Sequence, residues 1–275
     1  MQARRGWGRI AAAVALAAAV AAIAAVGATA TPRAANPYNL ISPGTLVVGM
    51  DLEFKPEMYL QNGKPAGYDV QLLNVLAKQM GVKLQIKNLS FNGLIPGLVA
   101  KKFDMVSVGL SPTPARKKSI TFSRAYVPYA QILGERTNEN VPATIAAWNQ
   151  SSRTITSLQG STAEQLVKAT FPKAKDDAFP DQNAAFLQVA TGRADGIVVE
   201  NYLLAQFNKS NGNKLKEVPF KKPLNVQYGA YAVQKGNTAL ANYLSQFICK
   251  LQGNGQLAKI YKATEGAALP PMPAC

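Results

Sequence analysis

The sequence predicts an α/β fold built as two lobes. Two runs carry this expectation, one starting near residue 45 and one near residue 154. In each, short apolar segments alternate with amphipathic ones of helical period, the pattern of parallel sheets covered by helices. Length agrees: beyond a leader of 30 residues, 245 of the 275 residues remain, which suits one large domain or two ordinary ones.

In chain order, a lead containing proline and asparagine (37–43) precedes a buried strand at 46–50, and "QNGKPAG" then carries turn signals. Val70, Leu73, Leu76, Ala77 and Met80 recur at three- and four-residue steps, predicting a helix over 69–80 that Gly81 stops. Val82, Leu84 and Ile86 alternate as a strand. A helix over about 93–100 keeps Pro96 near its first turn, and 105–109 is the next strand. The second run gives a strand in "TITSL", a helix over 161–169 and a helix over 182–191 capped by Asp181 and ended by Gly192. A buried strand at 194–199, a helix over 202–207, a strand at 226–233, a long helix over 237–251 and a short final helix complete the chain.

The first 30 residues read as a cleaved secretory signal: Arg4, Arg5 and Arg9, an apolar run over 10–26, and the small-x-small site Ala28-Thr29-Ala30. An uncleaved anchor is the alternative, because the run nearly spans a bilayer. Arg4-Arg5 leaves open whether the route is general or twin-arginine. No cysteine follows the run, which argues against a lipid anchor, and no later segment suits a membrane span. A soluble periplasmic product, monomeric, is expected.

Net charge is +15, or +12 without the leader's three arginines. Lys101-Lys102, Arg116-Lys117-Lys118 and Lys221-Lys222 are scattered and lack interleaved aromatics, so they read as solvated surface and not as a nucleic-acid site. The chain has no histidine, which excludes Ser-His-Asp and Cys-His nucleophiles and His-ligated zinc; no metal or cofactor is expected. Cys249 and Cys275 lie near the end of an exported chain, where disulfides persist. Either they pair and pin the "ALPPMPAC" tail to the last long helix, or they remain free or intermolecular thiols.

The stretch "SVGLSPTPARKK" carries the functional signal. Thr113 is an N-cap followed by Pro114 at the first helical position, which places Arg116 in the first turn, just past a strand's carboxyl end. Open α/β sheets bind ligands there, and the fork of an arginine suits a carboxylate. A capped helix with a solvated arginine is the alternative reading.

The stretches "LVVGMDLEFKPEMYLQNGKPAGYDVQLLNVLAKQMGVKLQI", "FNGLIPGLVAKKFDMVSVGLSPTPARKKSITFSRAY", "LQGSTAEQL", "GRADGIVVEN" and "YGAYAVQKGN" resemble the bacterial extracellular solute-binding proteins of family 3, the amino-acid receptors of ABC importers. The resemblance runs from about Thr45 to Lys262. It implies a two-lobed clamshell with hinge crossings near 126–130 and 224–228: residues 45–128 and 226–275 form one lobe and 129–225 the other. It further implies that Arg116 grips the ligand α-carboxylate with the N–H groups of Ser111 and Thr162. The Ser111 hydroxyl, the Gly109 carbonyl and Glu200 would receive the α-ammonium, and Asp51, Phe54 and Phe91 would line the side-chain pocket. The implied partners are an amino acid and an inner-membrane ABC permease.

Departures are present. Phe54 stands where the family's "Y-x-P-F" signature has tyrosine, Glu57 replaces its second aromatic, Glu200 replaces an aspartate, and Gln71 replaces a frequent acid. Asp51 favours a polar or cationic ligand side chain. The same scaffold resembles cyclohexadienyl dehydratases, for which Glu57, Glu200 or Asp51 would be the general acid. A sensory ectodomain is a third reading, weakened because no transmembrane helix or signalling domain follows.

Overall fold

The apolar run "TLVVGM" forms a central strand, β1 (Thr45–Met50), buried on both faces as parallel strands are. The computed structural model describes residues 36–275; the expected signal segment lies outside them. After β1 come β2 (Glu53–Phe54), β3 (Met58–Gln61) and β4 (Lys64–Ala66), which make a small antiparallel sheet where the sequence shows turn signals alone. Next are α1 (Tyr68–Met80), β5 (Lys83–Asn88), α2 (Phe91–Val99), β6 (Met105–Leu110), α3 (Pro114–Ser119) and β7 (Ile120–Arg136). The second run holds α4 (Ile145–Trp148), β8 (Thr154–Leu158), α5 (Thr162–Thr170), β9 (Lys175–Phe179), α6 (Gln182–Ala190), β10 (Gly196–Glu200), α7 (Asn201–Asn211) and β11 (Leu215–Glu217). β12 (Asn225–Gln234), α8 (Thr238–Gly253) and α9 (Gln256–Glu265) close the chain.

The main sheet runs β5-β1-β6-β12-β7-β10-β8-β9. Its outer thirds are parallel, β1 with β5 and β6 on one side and β8 with β9 and β10 on the other. The middle is antiparallel: β7 pairs with β12 and β10, and β12 with β6. A purely parallel sheet is therefore not what forms. The chain crosses from one half to the other along β7 and returns along β12, and two strands that run opposite ways must pair antiparallel. Their register puts Pro128 opposite Tyr228 and Ala130 opposite Val226, next to a shift at Gly229 and Ala230. A proline is tolerated beside such an irregularity because the ladder bond it lacks is already disrupted. The architecture is a two-lobed α/β clamshell, each lobe a sheet flanked by helices, with two crossings.

Successive side chains on the inner strands face opposite ways. On β7 Ile132 joins the larger core and Leu133 a second cluster around Trp148, Val167 and Phe171; on β10 Val199 and Val198 divide likewise. Phe103 fixes α2 onto the first sheet: a Cβ at Gly49 or at Gly97 would lie 2.7 Å from its ring. That packing accounts for a displaced boundary. α2 begins at Phe91, so Pro96 is its sixth residue and not a first-turn one. The backbone hydrogen bond lost there is offset by close helix–strand contact. Boundaries elsewhere agree with the sequence within a few residues. Asp181 accepts from the Ala184 amide, and Gly81 closes α1 with φ 68°.

Cys249 and Cys275 are bonded, with Cα atoms 5.7 Å apart. Arg124 reinforces the tail by donating to the carbonyls of Pro273 (2.8 Å) and Ala274 (2.7 Å). Closing a loop of 26 residues stabilises the fold by about 3 kcal/mol. Cys275→Ser, or reduction of the wild type, should lower the melting temperature by roughly 6–12 °C at this size. Differential scanning calorimetry with and without dithiothreitol checks it; unchanged melting would mean the bridge adds nothing.

Candidate functional site

Between the two halves, at the carboxyl ends of β6 and β10, lies a cavity of about 40 Å³. Phe54, Phe91, Gly109, Ser111, Arg116, Thr162 and Glu200, all singled out in the sequence, line it together. Asp51 does not. It is buried directly after β1, near the backbone amides of Phe91 and Glu53, and is not part of the cavity wall. Burial, with Glu53 and Asp181 nearby, pushes the Asp51 pKa up to about 7. Glu53 and Asp181 in turn meet carboxyl to carboxyl.

Arg116 is positioned by its cap. Thr113 Oγ1 accepts the Arg116 amide (3.3 Å), and α3 lasts only six residues before the chain turns into β7. The guanidinium points inward and is buried. Nη1 donates to the Ser111 carbonyl (3.1 Å) and Nη2 to the Gly160 carbonyl on the loop between β8 and α5 (2.9 Å), so one side chain touches both halves. The Phe91 ring lies 5.7 Å from its Cζ, within cation–π range. Burial lowers its pKa to about 10 while the Glu200 charge opposes the drop, so Arg116 remains a cation at neutral pH.

Glu200 ends β10 and faces the same cavity. Its Oε1 accepts from Gln131 Nε2 and from Gln227 Nε2, both at 3.2 Å. Burial raises its pKa, and the two amides and the Arg116 charge restrain the rise. Gln227 Oε1 also accepts from Ser111 Oγ (2.8 Å), and Gln131 Nε2 also donates to Thr162 Oγ1 (3.1 Å). The two crossing strands therefore contribute one glutamine each, and these tie a first-half serine and a second-half threonine to the same carboxylate. Ser161 caps α5 by accepting from the amides of Ala163 and Glu164, which leaves the Thr162 N–H at the helix start for a partner in the cavity.

Gly109 closes β6 with φ +59°, and a Cβ there would sit 1.9 Å from Tyr129 Oη, so the position admits only glycine. Its amide donates to Tyr126 Oη (2.9 Å), and Tyr126 donates to Asp69 Oδ2 (2.5 Å), which also accepts from Ser107 Oγ (2.6 Å). Tyr129 lines the cavity and donates to Glu57. Glu57 and Asp69 are buried, and among the described residues neither forms an ion pair with a lysine or arginine. Burial drives the pKa of Glu57 well up and that of Asp69 to about 7. Glu57 thus supports the wall from behind and does not face the cavity.

Sequence reasoning missed Tyr129, Gln131, Tyr202, Leu203 and Gln227, all lining or bracing residues. Gln131 carried a usable signal, a lone amide inside the apolar strand "YAQIL"; the others looked like ordinary strand and helix positions.

A family model described as bacterial extracellular solute-binding proteins, family 3, matches residues 46–264. The chain is 26% identical over 223 residues to the L-arginine-binding protein of Pseudomonas aeruginosa, covering 78% of this chain and 85% of the relative. It is 24% identical over 226 residues to the L-cystine-binding protein TcyJ of Escherichia coli, covering 82% and 84%. Among solved structures, an ancestral amino-acid-binding protein described as a precursor of cyclohexadienyl dehydratase superposes with a TM-score of 0.73 at 31% identity, over 80% of this chain and 95% of that one. An ancestral arginine-binding protein bound to arginine gives 0.74 at 30%, over 80% and 98%.

The buried acids set a pH dependence. Asp69 titrates near 7 in the fold and near 4 when unfolded, so between those values the folded state holds an extra proton. Stability is highest below that window and falls as pH rises through it; Glu57 acts in the same direction. Chemical denaturation from pH 5 to 8 should show the wild type losing stability and Asp69→Asn, which cannot ionise, losing less. Equal slopes would clear Asp69 of the effect.

Proposed function

The chain belongs to the bacterial extracellular solute-binding proteins, family 3, and on that premise we propose that it captures an amino acid in the cavity between its lobes and hands it to an ABC permease. One observation carries the reading: a buried guanidinium and a carboxylate line one interlobe cavity, opposite charges for the two ends of a zwitterion. Arg116, with the N–H groups of Ser111 and Thr162, takes the α-carboxylate. Glu200, the Gly109 carbonyl and the Ser111 hydroxyl take the α-ammonium, and Phe54 and Phe91 flank the side chain. Gln131 and Gln227 hold Glu200 in place. In this reading residues 45–128 and 226–275 move as one lobe and 129–225 as the other, bending where β7 pairs with β12. Closure is favoured because the zwitterion contacts both lobes at once. Export by the leader would bring the receptor to the periplasm as a monomer.

A second reading is favoured by one feature. Glu200 is a cavity-facing carboxyl with a raised pKa, as a general acid requires, whereas Asp51 and Glu57 do not line the cavity. A lyase of the cyclohexadienyl dehydratase kind would use it to protonate a leaving hydroxyl. The occupied hydrogen bonds of Glu200 and the amino-acid clamp around it support binding instead.

Isothermal titration calorimetry against the common amino acids should find at least one ligand, and Arg116→Ala should weaken it about 10- to 150-fold, the worth of a charge-assisted pair at 1.5–3 kcal/mol. A wild type that binds none, or a mutant that binds undiminished, defeats the proposal. With prephenate or arogenate, no aromatic product should accumulate by ultraviolet absorbance. Turnover abolished by Glu200→Gln would establish the lyase instead.

A further inference from the structure

The cavity lining is mixed. Its charged and hydrogen-bonding groups come from β6, α3, β12, β10 and the start of α5, and its larger apolar and aromatic side chains are Phe54, Phe91, Tyr129, Leu158, Tyr202 and Leu203. Both halves of the molecule contribute to this wall. Phe54 and Phe91 meet edge to face at 6.4 Å, and Tyr129 and Tyr202 stack at 5.9 Å.

A charged ligand side chain needs a partner along that wall, because a buried charge without one is strongly disfavoured. Each nearby carboxyl is otherwise placed. Asp51, Glu53 and Asp181 lie outside the lining, the last two close to each other, and Glu57 lies behind the Tyr129 hydroxyl. Glu200 sits among the polar groups, with Gln131 and Gln227 on it. For an acidic side chain the shortage is greater, since Arg116 is the only lysine or arginine lining the cavity among the described residues.

We infer that the ligand is an α-amino acid with an uncharged, apolar side chain, seated against Phe54, Phe91, Leu158 and Leu203 beside the Tyr129–Tyr202 pair. The inference rests on the amino-acid-clamp reading and replaces the preference for polar or cationic ligands that Asp51 suggested in the sequence. Tyr129 lines this wall with its hydroxyl proton committed to Glu57.

The test is a calorimetric panel on the protein expressed from the full chain, with phenylalanine, leucine, methionine, arginine, lysine and glutamate. At least one of the first three should bind 10-fold or more tightly than each of the last three. Asp51→Asn should change that affinity less than 3-fold, and Leu203→Asp, if folded by circular dichroism, should shift preference toward lysine by 10-fold or more. Arginine, lysine or glutamate binding as tightly as the best apolar ligand overturns the side-chain assignment but leaves the clamp standing. So does a cationic ligand lost more than 10-fold in Asp51→Asn. No binding by any amino acid overturns the clamp and this inference together.

Discussion

A guanidinium buried between two halves of a protein constrains everything around it. Arg116 has lost most of its water and must find acceptors, and it finds carbonyls from both sides, Ser111 on one and Gly160 on the other. Breaking such an arrangement strands a charge, which is far costlier than the net worth of the bonds themselves. The cap at Thr113, the abrupt end of α3 and the facing carboxyl of Glu200 serve this placement. Since one side chain touches both halves, their spacing and the cavity's charge distribution are settled by the same contacts.

The crossing strands do more than connect. β7 and β12 each deliver one glutamine to Glu200, and those amides also reach Thr162 and Ser111. Neutral amides can stabilise a carboxylate without cancelling its charge, so Glu200 keeps its attraction for a cation while its position is set. A bend in either strand would move an amide and the carboxylate it braces, which ties the geometry of the site to the relative placement of the lobes.

Beneath the cavity lies a layer of acids and tyrosines that, among the described residues, has no basic partner. Asp69 Oδ2 accepts from Ser107 and Tyr126 and Glu57 Oε2 from Tyr129, Asp69 Oδ1 has no partner among the described residues, and burial favours the neutral forms of both acids. The layer holds the Gly109 peptide through Tyr126 and the Tyr129 ring through Glu57. Glu57 stands where the family signature has an aromatic; here a tyrosine from another strand fills the wall and the acid secures it.

The chain itself determined its α/β alternation, the two runs behind the lobes and the capped turn at Thr113 to Arg116, because caps and periodicity are local properties; the clamp residues were implied by the resemblance to family 3. Periodicity did not reveal the small β2-β3-β4 sheet, whose strands are too short to show a period, or the 17-residue length of β7, which Pro128 interrupts. Whether Asp51 faces a ligand or an amide, which strand's glutamine meets Glu200, and which tyrosine backs Gly109 depend on residues tens to more than a hundred positions apart. Only tertiary packing brings those together, because a side chain's partner is chosen by the shape and burial of the space it enters, and that space does not exist until both lobes have folded.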